Sequence, residues 1–249
     1  MPQRRLRAVL FDIGGTLDDR TTNIAKASFA VWKFLKRRKI DVDALQLRRD
    51  LTHGFEAYHK WSARTETEPS SEYFWRHIML NGRSDIFLHK RFPYSSLSDV
   101  FETEYYSKTL RKNVKNALAQ LRNNGLKLGC VSNTLLTRHQ FIRILKGYNI
   151  ANYFDVLALS SEVGKKKPHP KIFQYALKRC RASPKEAAFV GDTLSRDICG
   201  AKKAGFAIAI LIQSSLSAEK DASYRGVERP DFVVSRIEDV GTILTSLAA

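Results

Sequence analysis

A short apolar segment near the start of the chain leads directly into a carboxylate and a glycine-rich turn. Residues 8–11 read Ala-Val-Leu-Phe, Asp12 follows, and Gly14, Gly15 and Thr16 form the turn. In open α/β sheets, ligands bind outside the carboxyl ends of the strands. We therefore expect Asp12 to lie in a ligand site. It can act as a nucleophile there if nearby positive charge neutralises the anion that it attacks.

Further polar segments follow apolar runs or begin helical patterns later in the chain. They are Ser132-Asn133 after the apolar run 126–131, Lys167 in the sequence Lys-Pro-His-Pro, and Asp192 and Asp197 after the apolar run 187–190. Two carboxylates offer the oxygen ligands that a hard cation such as Mg²⁺ prefers. Pairing with a helix dipole, worth about 0.3–1 kcal/mol for each Asp, is the alternative role, but it does not explain the pair. This set suits phosphoryl transfer, which needs an in-line nucleophile and dense positive charge.

Taken in order, these segments resemble the four motifs of the haloacid dehalogenase superfamily, which begin with Asp-x-Asp-Gly-Thr-Leu and end with Gly-Asp-x-x-x-x-Asp. The resemblance implies that Asp12 is the nucleophile and that Ser132 and Lys167 are also catalytic. It further implies a set that binds the phosphoryl group, namely Ser132, Asn133 and Lys167, and a set that binds Mg²⁺, namely Asp12, the backbone carbonyl of Gly14, Asp192 and Asp197. Lys165 and Lys166 are expected to be solvated neighbours of Lys167.

The first motif departs from the family pattern at one position, because Gly14 stands where the second Asp is expected. In related phosphatases that Asp is the general acid/base, and such help contributes about 10²–10⁴-fold to a rate. We predict a Mg²⁺-dependent phosphatase that acts on a small phosphorylated metabolite through an aspartyl-phosphate on Asp12, and that is weak or specialised. The alternatives are a phosphonate-cleaving enzyme with a cap lysine such as Lys60, a dehalogenase-type hydrolase, or a non-catalytic protein that binds a phospho-ligand or nucleic acid. The pair Asp192 and Asp197 argues against the dehalogenase.

Composition and charge narrow the class of protein. No apolar run in the 249 residues approaches the roughly 20 that a membrane span needs, so no membrane partner is expected. Three widely spaced cysteines without a CxxC pattern favour a reducing, cytoplasmic location.

The net charge of +17 is unevenly distributed. Residues 18–107 carry 15 basic and 13 acidic groups, a net charge of +2, and the remainder carries 27 basic and 12 acidic groups, a net charge of +15. A basic field attracts anionic substrates. Nucleic acid is a less favoured partner, and the oligomeric state is not indicated.

The periodicity of apolar residues predicts the elements that must position these side chains. From about residue 108 onward, strand patterns at 126–131, 156–159, 187–190, 206–212 and 232–234 alternate with helical patterns at 114–124, 138–148, 170–181 and 195–204. This rhythm predicts an α/β fold, a Rossmann-like, doubly wound parallel sheet. Residues 18–107 instead give helical patterns at 23–39, 43–64, 71–80 and 96–107. We therefore predict a catalytic core from residues 1–17 and 108–249, an all-helical cap from residues 18–107, and a surface loop at 213–230.

Overall fold

The computed structural model describes residues 5–88, 91–215, 217, 221–222 and 224–246. The chain forms two compact units. The first contains Met1–Arg20, Lys108–Thr134 and Phe141–Ala249, and the second contains Thr21–Ser107 and Leu135–Gln140. The first boundary therefore lies three residues after the predicted one. The segment Leu135–Gln140, which the sequence predicted in the core, groups with the second unit.

The strands and helices alternate along most of the chain. The strands are β1 Ala8–Phe11, β2 Asp18–Thr22, β3 Tyr106–Leu110, β4 Lys127–Ser132, β5 Val156–Leu159, β6 Ala187–Gly191, β7 Ile208–Ile212 and β8 Phe232–Val234. The α-helices are α1 Ile24–Lys36, α2 Ala44–Ala63, α3 Ser71–Tyr73, α4 Tyr94–Tyr105, α5 Val114–Asn123, α6 Arg138–Gly147, α7 Ser160–Val163, α8 Pro170–Cys180, α9 Cys199–Ala204 and α10 Ile237–Ser246. Short π-helical turns, Phe74–Met79 and Leu194–Ile198, follow α3 and precede α9.

The first unit is built on a six-stranded sheet with the order β5-β4-β1-β6-β7-β8. Every neighbouring pair is parallel. The predicted Rossmann-like fold is thus confirmed. Strand β1 is buried on both faces, as a central strand of a parallel sheet must be. Because successive side chains point to opposite faces, Val9 and Phe11 pack into one hydrophobic layer and Ala8 and Leu10 into the other.

The second unit is mainly helical, and its core is aromatic. Trp75 is fully buried there and its indole nitrogen donates to the hydroxyl of Ser98 at 2.9 Å. Phe29, on α1, lies outside this core: it is half exposed and stacks on Trp32.

Two short strands were not predicted, because residues 18–107 contain no apolar run typical of a strand. Strands β2 and β3 pair with each other, and the boundary between the two units falls within both. The sequence of β2, Asp-Asp-Arg-Thr-Thr, has no apolar alternation to reveal it. Helix α10 was also missed, and the predicted loop 213–230 lies partly outside the described residues.

The three cysteines are all buried in the fold. Cys130, Cys180 and Cys199 are buried free thiols. Burial raises the pKa of Cys130 well above its usual value, and it raises the pKa of Cys180 in the same direction. Within the described parts of the chain, every helix is too short or too polar to cross a bilayer.

Candidate active site

Three neighbouring strands carry the predicted site residues to one edge of the sheet. Asp12 follows β1, Ser132 ends β4 and Asp192 follows β6, and the sheet order is β4-β1-β6. Since these strands are parallel, their carboxyl ends meet at the same edge. The backbone N–H of Asp12 donates to the carbonyl of Val190 at 2.9 Å, which fixes the start of the turn after β1 against β6.

Lys167 lies at the centre of this group. Its ammonium nitrogen is 2.7 Å from Oδ1 of Asp12 and 2.7 Å from Oδ1 of Asp197, and its side chain is 3% exposed. Burial disfavours the charge on Lys167, but the two carboxylates outweigh it, so the pKa of Lys167 is raised above its usual value. Burial likewise opposes ionisation of Asp197, but Lys167 and Thr193 lower its pKa. Lys167 and Asp197 therefore hold each other in the ionised state.

Asp197 is fixed by the start of the π-helical turn after β6. Its Oδ2 accepts hydrogen bonds from the backbone N–H of Thr193 at 3.0 Å and from the Thr193 hydroxyl at 2.6 Å. Asp221, which sequence reasoning missed, accepts from the backbone N–H groups of Leu194 and Ser195 at 2.7 and 2.9 Å. These bonds satisfy N–H groups that a helical segment leaves without internal partners at its beginning. The turn therefore presents Asp197 in a defined orientation.

The carboxylates of Asp12, Asp192 and Asp197 form a compact buried group. One oxygen from each lies within 4.8 Å of the others. With Lys167 as the adjacent cation, the four ionised side chains carry a net charge of −2 (one positive and three negative groups). Burying uncompensated charge is costly, and a divalent cation would neutralise this excess. An all-oxygen donor set of this kind fits Mg²⁺.

Gly15 has a steric role beside this group. Its φ is +89°, and a Cβ built on it would lie 2.3 Å from Oδ2 of Asp192. Any other residue would be strained in this left-handed conformation and would displace the carboxylate. The hydroxyl of Ser217 donates to the same oxygen of Asp192 at 3.1 Å. The glycine-rich turn thus allows Asp192 to approach the backbone closely.

The remaining predicted residues lie in two adjoining segments. Ser132 is buried at the end of β4. The side chain of Asn133 binds the backbone of Lys167 twice, since its amide oxygen accepts from the N–H at 2.7 Å and its amide nitrogen donates to the carbonyl at 3.1 Å. Lys166 is 4% exposed, so the expectation that it is solvated was wrong. The turn before α8 buries its side chain along with that of Lys167.

Position 14 is covered by a side chain that the sequence analysis did not single out. A Cβ built on Gly14 would lie 2.5 Å from Cζ and 2.8 Å from Nη1 of Arg20. Gly14 is absent from the residues with positive φ, so its backbone does not require glycine. The backbone conformation at position 14 would accept a side chain, but the guanidinium of Arg20 already occupies the space that it would need.

Arg20 is held in place by a buried carboxylate. Its Nε donates to Oδ1 of Asp18 at 2.7 Å and its Nη2 donates to Oδ2 at 3.1 Å. The hydroxyl of Tyr148, on the segment after α6, also donates to Oδ2 of Asp18 at 2.9 Å. Burial and the neighbouring Asp18 raise the pKa of Tyr148, so its hydroxyl stays protonated as a donor. Asp18 itself is fully buried.

The comparisons with known proteins agree with this geometry. A family model described as haloacid dehalogenase-like hydrolase matches residues 6–205 of the 249. The chain belongs to the haloacid dehalogenase-like hydrolases. A solved structure of a HAD phosphatase from Thermococcus onnurineus is 26% identical, has a TM-score of 0.62, and aligns over 96% of this chain and 98% of its own. The match therefore covers both units of this haloacid dehalogenase-like hydrolase.

Curated relatives carry phosphatase names. The glyceraldehyde 3-phosphate phosphatase of Methanopyrus kandleri is 34% identical over 53% of this chain and 54% of its own length. That of Pyrococcus furiosus is 25% identical over 97% of this chain and 94% of its own. The hydrolase thus spans about half the length of the first relative and nearly all of the second.

Proposed function

We propose that this hydrolase is a Mg²⁺-dependent phosphatase that transfers the phosphoryl group of a small metabolite to Asp12 and then to water. The observation that carries this proposal is the buried group of Asp12, Asp192, Asp197 and Lys167, in which Lys167 contacts two of the three carboxylates at 2.7 Å. The phosphatase names of the relatives support the same reaction class.

Asp12 is the nucleophile in this mechanism. Its carboxylate is anchored at the strand end, 2.7 Å from the ammonium of Lys167, and its side chain retains 11% exposure. Lys167 offers a positive charge to the equatorial oxygens of the phosphoryl group. Positioning and charge stabilisation of this kind supply most of the catalysis in phosphoryl transfer.

The metal-binding set would consist of Asp12, Asp192, Asp197 and the backbone carbonyl of Gly14. Bound there, Mg²⁺ would neutralise the negative charge that the substrate brings to the carboxylates. The protein's own contribution is orientation, because Thr193 holds Asp197 and Ser217 holds Asp192 by the hydrogen bonds described above.

Ser132 and Asn133 have different roles in this proposal. Ser132 donates its hydroxyl to a phosphoryl oxygen from the end of β4. Asn133 was expected to contact substrate, but both groups of its amide bind the backbone of Lys167, at 2.7 and 3.1 Å. We therefore assign Asn133 the positioning of Lys167 and not a direct contact.

The alternative chemistries have less support. The cap lysine considered for a phosphonate-cleaving enzyme, Lys60, is exposed on α2. A dehalogenase that works without metal does not need a group of three buried carboxylates. A cytoplasmic location remains a prediction from cysteine usage.

Hydrolysis of a panel of phosphorylated metabolites, measured by phosphate release with Mg²⁺ and with EDTA, tests the proposal. We expect a subset of the panel to be hydrolysed only with Mg²⁺, and the Asp12→Asn variant to be inactive on that subset. A wild-type protein that releases no phosphate from the panel or from p-nitrophenyl phosphate in Mg²⁺ would contradict it.

A second candidate function, nucleic-acid binding, is favoured by one cavity of the first unit. The cavity measures about 720 Å³, and its charged lining residues include Arg5, Arg7, Lys127, Arg181 and Glu186. It lies where β1, β4 and β6 begin, at the edge of the sheet opposite to Asp12. If it binds nucleic acid, the affinity for a labelled single-stranded RNA falls steeply with salt and falls further in Arg181→Ala. Absence of binding at low salt would exclude this function.

A further inference from the structure

Proton donation near Asp12 depends on the group that lies at position 14. Gly14 lies two residues from Asp12, so their Cα atoms are at most about 7.6 Å apart. The space above Gly14 is taken by the guanidinium of Arg20, with Nη1 2.8 Å from an ideal Cβ. A guanidinium stays charged in proteins and cannot act as a general acid. The group at this position therefore supplies charge and no proton.

Asp18 does not replace the missing acid. Its carboxylate is fully buried and accepts hydrogen bonds from two nitrogens of Arg20, from the Tyr148 hydroxyl and, at 3.4 Å, from the backbone N–H of Gly15. These donors occupy both carboxylate oxygens of Asp18. Its effect is to fix the plane of the guanidinium, because a bidentate pair leaves little rotational freedom.

The charges of Arg20 and Asp12 both act on the pKa of the buried Cys130 thiol, together with those of Lys167 and Asp18. The Arg20 side chain retains 16% exposure, whereas Lys167 retains 3%. The site thus has a buried cation beside Asp12 and a second, mostly buried cation beside Gly14.

We propose that Arg20 is a specificity-determining residue that stabilises a leaving group departing as an anion, as in acyl phosphates and phosphoanhydrides, and so lowers the dependence of the rate on the pKa of that leaving group. This inference rests on the proposed phosphatase function. Its physical reason is that a fixed cation stabilises charge developing on the leaving oxygen, whereas an alkoxide would also need a proton.

The proposed reaction balances without an acid. An Asp12 oxygen attacks phosphorus, the bond from phosphorus to the leaving oxygen breaks, and its electron pair remains on that oxygen, which departs unprotonated beside Arg20. Water then attacks the aspartyl-phosphate, the bond from phosphorus to the Asp12 oxygen breaks, and the carboxylate is restored. Both water hydrogens leave on dihydrogen phosphate, so a substrate dianion and water give one leaving anion and one phosphate monoanion.

The test is the dependence of kcat/KM on the pKa of the leaving phenol, measured with aryl phosphates from p-nitrophenyl to phenyl. Arg20→Met keeps the length of the side chain and removes the charge. We expect its kcat/KM to fall roughly 10-fold for p-nitrophenyl phosphate and roughly 100-fold for phenyl phosphate, which makes the dependence steeper. A purely structural loss would lower kcat/KM by the same factor for all substrates.

Matched variants keep the test decisive. Arg111→Met is the control, because Arg111 binds Asp19 and the carbonyl of Gln213 and lies outside the contacts of position 14; its slope should equal that of wild type. Tyr148→Phe keeps Arg20 but removes the hydrogen bond that holds Asp18. Its dependence of kcat/KM on the pKa of the leaving phenol should have a slope between those of wild type and Arg20→Met. This slope can be measured even if Arg20→Met does not fold. Equal slopes in wild type, Arg20→Met and Tyr148→Phe overturn the role of Arg20. A wild type that hydrolyses neither an aryl phosphate nor any metabolite of the panel overturns the phosphatase function and this inference with it.

Discussion

Lys167 Nζ lies 2.7 Å from Oδ1 of Asp12, and the same nitrogen lies 2.7 Å from Oδ1 of Asp197. One buried ammonium thus joins the proposed nucleophile to a proposed metal ligand. A neutral isostere at either position leaves Lys167 with the other carboxylate as its partner, so each role can be tested by a substitution of its own.

Asp12→Asn should lower phosphatase activity by at least about 10³-fold, because an amide is not a nucleophile toward phosphorus. The fold should persist, since Lys167 keeps Asp197. Acid-quenched mass spectrometry should find the phosphoryl adduct on the peptide that contains Asp12 in wild type only. An adduct on another carboxylate would contradict the assignment.

Asp192→Asn should weaken Mg²⁺ binding at least about 10-fold, because a hard cation loses a charged oxygen ligand. In wild type, Mg²⁺ at 100 times its Kd should stabilise the fold by about 2.7 kcal/mol and raise the Tm. Thermal unfolding across a Mg²⁺ titration measures both. Asp239→Asn, which alters an exposed carboxylate paired with Arg236, is the control and should respond as wild type does. Identical titrations of Asp192→Asn and wild type would remove Asp192 from the metal site.

Gly14→Asp alone should give no gain in the turnover of alkyl phosphates. The new side chain would meet the Arg20 guanidinium, with Cβ 2.5 Å from Cζ, and its carboxylate would pair with that cation instead of donating a proton. The double variant Gly14→Asp/Arg20→Ala opens this space, and its turnover of alkyl phosphates should exceed that of Arg20→Ala by up to about 10²-fold. Steady-state kinetics on glycerol phosphate decides the matter. A gain in the single variant equal to that in the double variant would show that Arg20 does not occupy the space in solution.

Asp155→Asn should lower the free energy of unfolding by about 1–2 kcal/mol near neutral pH. Partial burial opposes ionisation of Asp155, but the backbone N–H of Leu128 and the charges of Lys127 and Arg122 outweigh it and lower its pKa. The carboxylate therefore contributes stability above its unfolded pKa of about 3.9, and this contribution disappears as the pH falls through the lower folded value. Urea unfolding should give a constant difference from wild type at pH 5–8 and a shrinking one below about pH 4. A difference that persists unchanged at pH 2 would point to a packing effect.

The strands and the order of the motifs were predictable because their signals are local. Strand β5 has the predicted bounds, Val156–Leu159, and β6 differs only at its last residue, because buried parallel strands consist of short, continuous apolar runs. A strand that ends in a polar residue also indicates which edge of the sheet holds the site. This reasoning placed Asp12 in a ligand site, and the resemblance to the family placed Asp192 in the same metal-binding set.

The cation above Gly14 could not be predicted in the same way. Arg20 belongs to β2, which has no apolar pattern, and its carboxylate partner Asp18 is oriented by Tyr148, 130 residues away. An arginine that fills the space of an absent side chain leaves no periodic signal. The same holds for Asn133: the resemblance implied a substrate contact, but its hydrogen bonds to Lys167 depend on the tertiary arrangement.

The burial of Cys130, Cys180 and Cys199 has a practical consequence for handling the protein. Oxidation and alkylation both proceed through an accessible thiolate. Cys130 pairs in the sheet with Phe11, the residue before the proposed nucleophile Asp12, and its raised pKa keeps it as an unreactive thiol. The protein should therefore keep its activity during storage in air without added reductant, and treatment of the folded enzyme with iodoacetamide should leave its phosphatase activity intact.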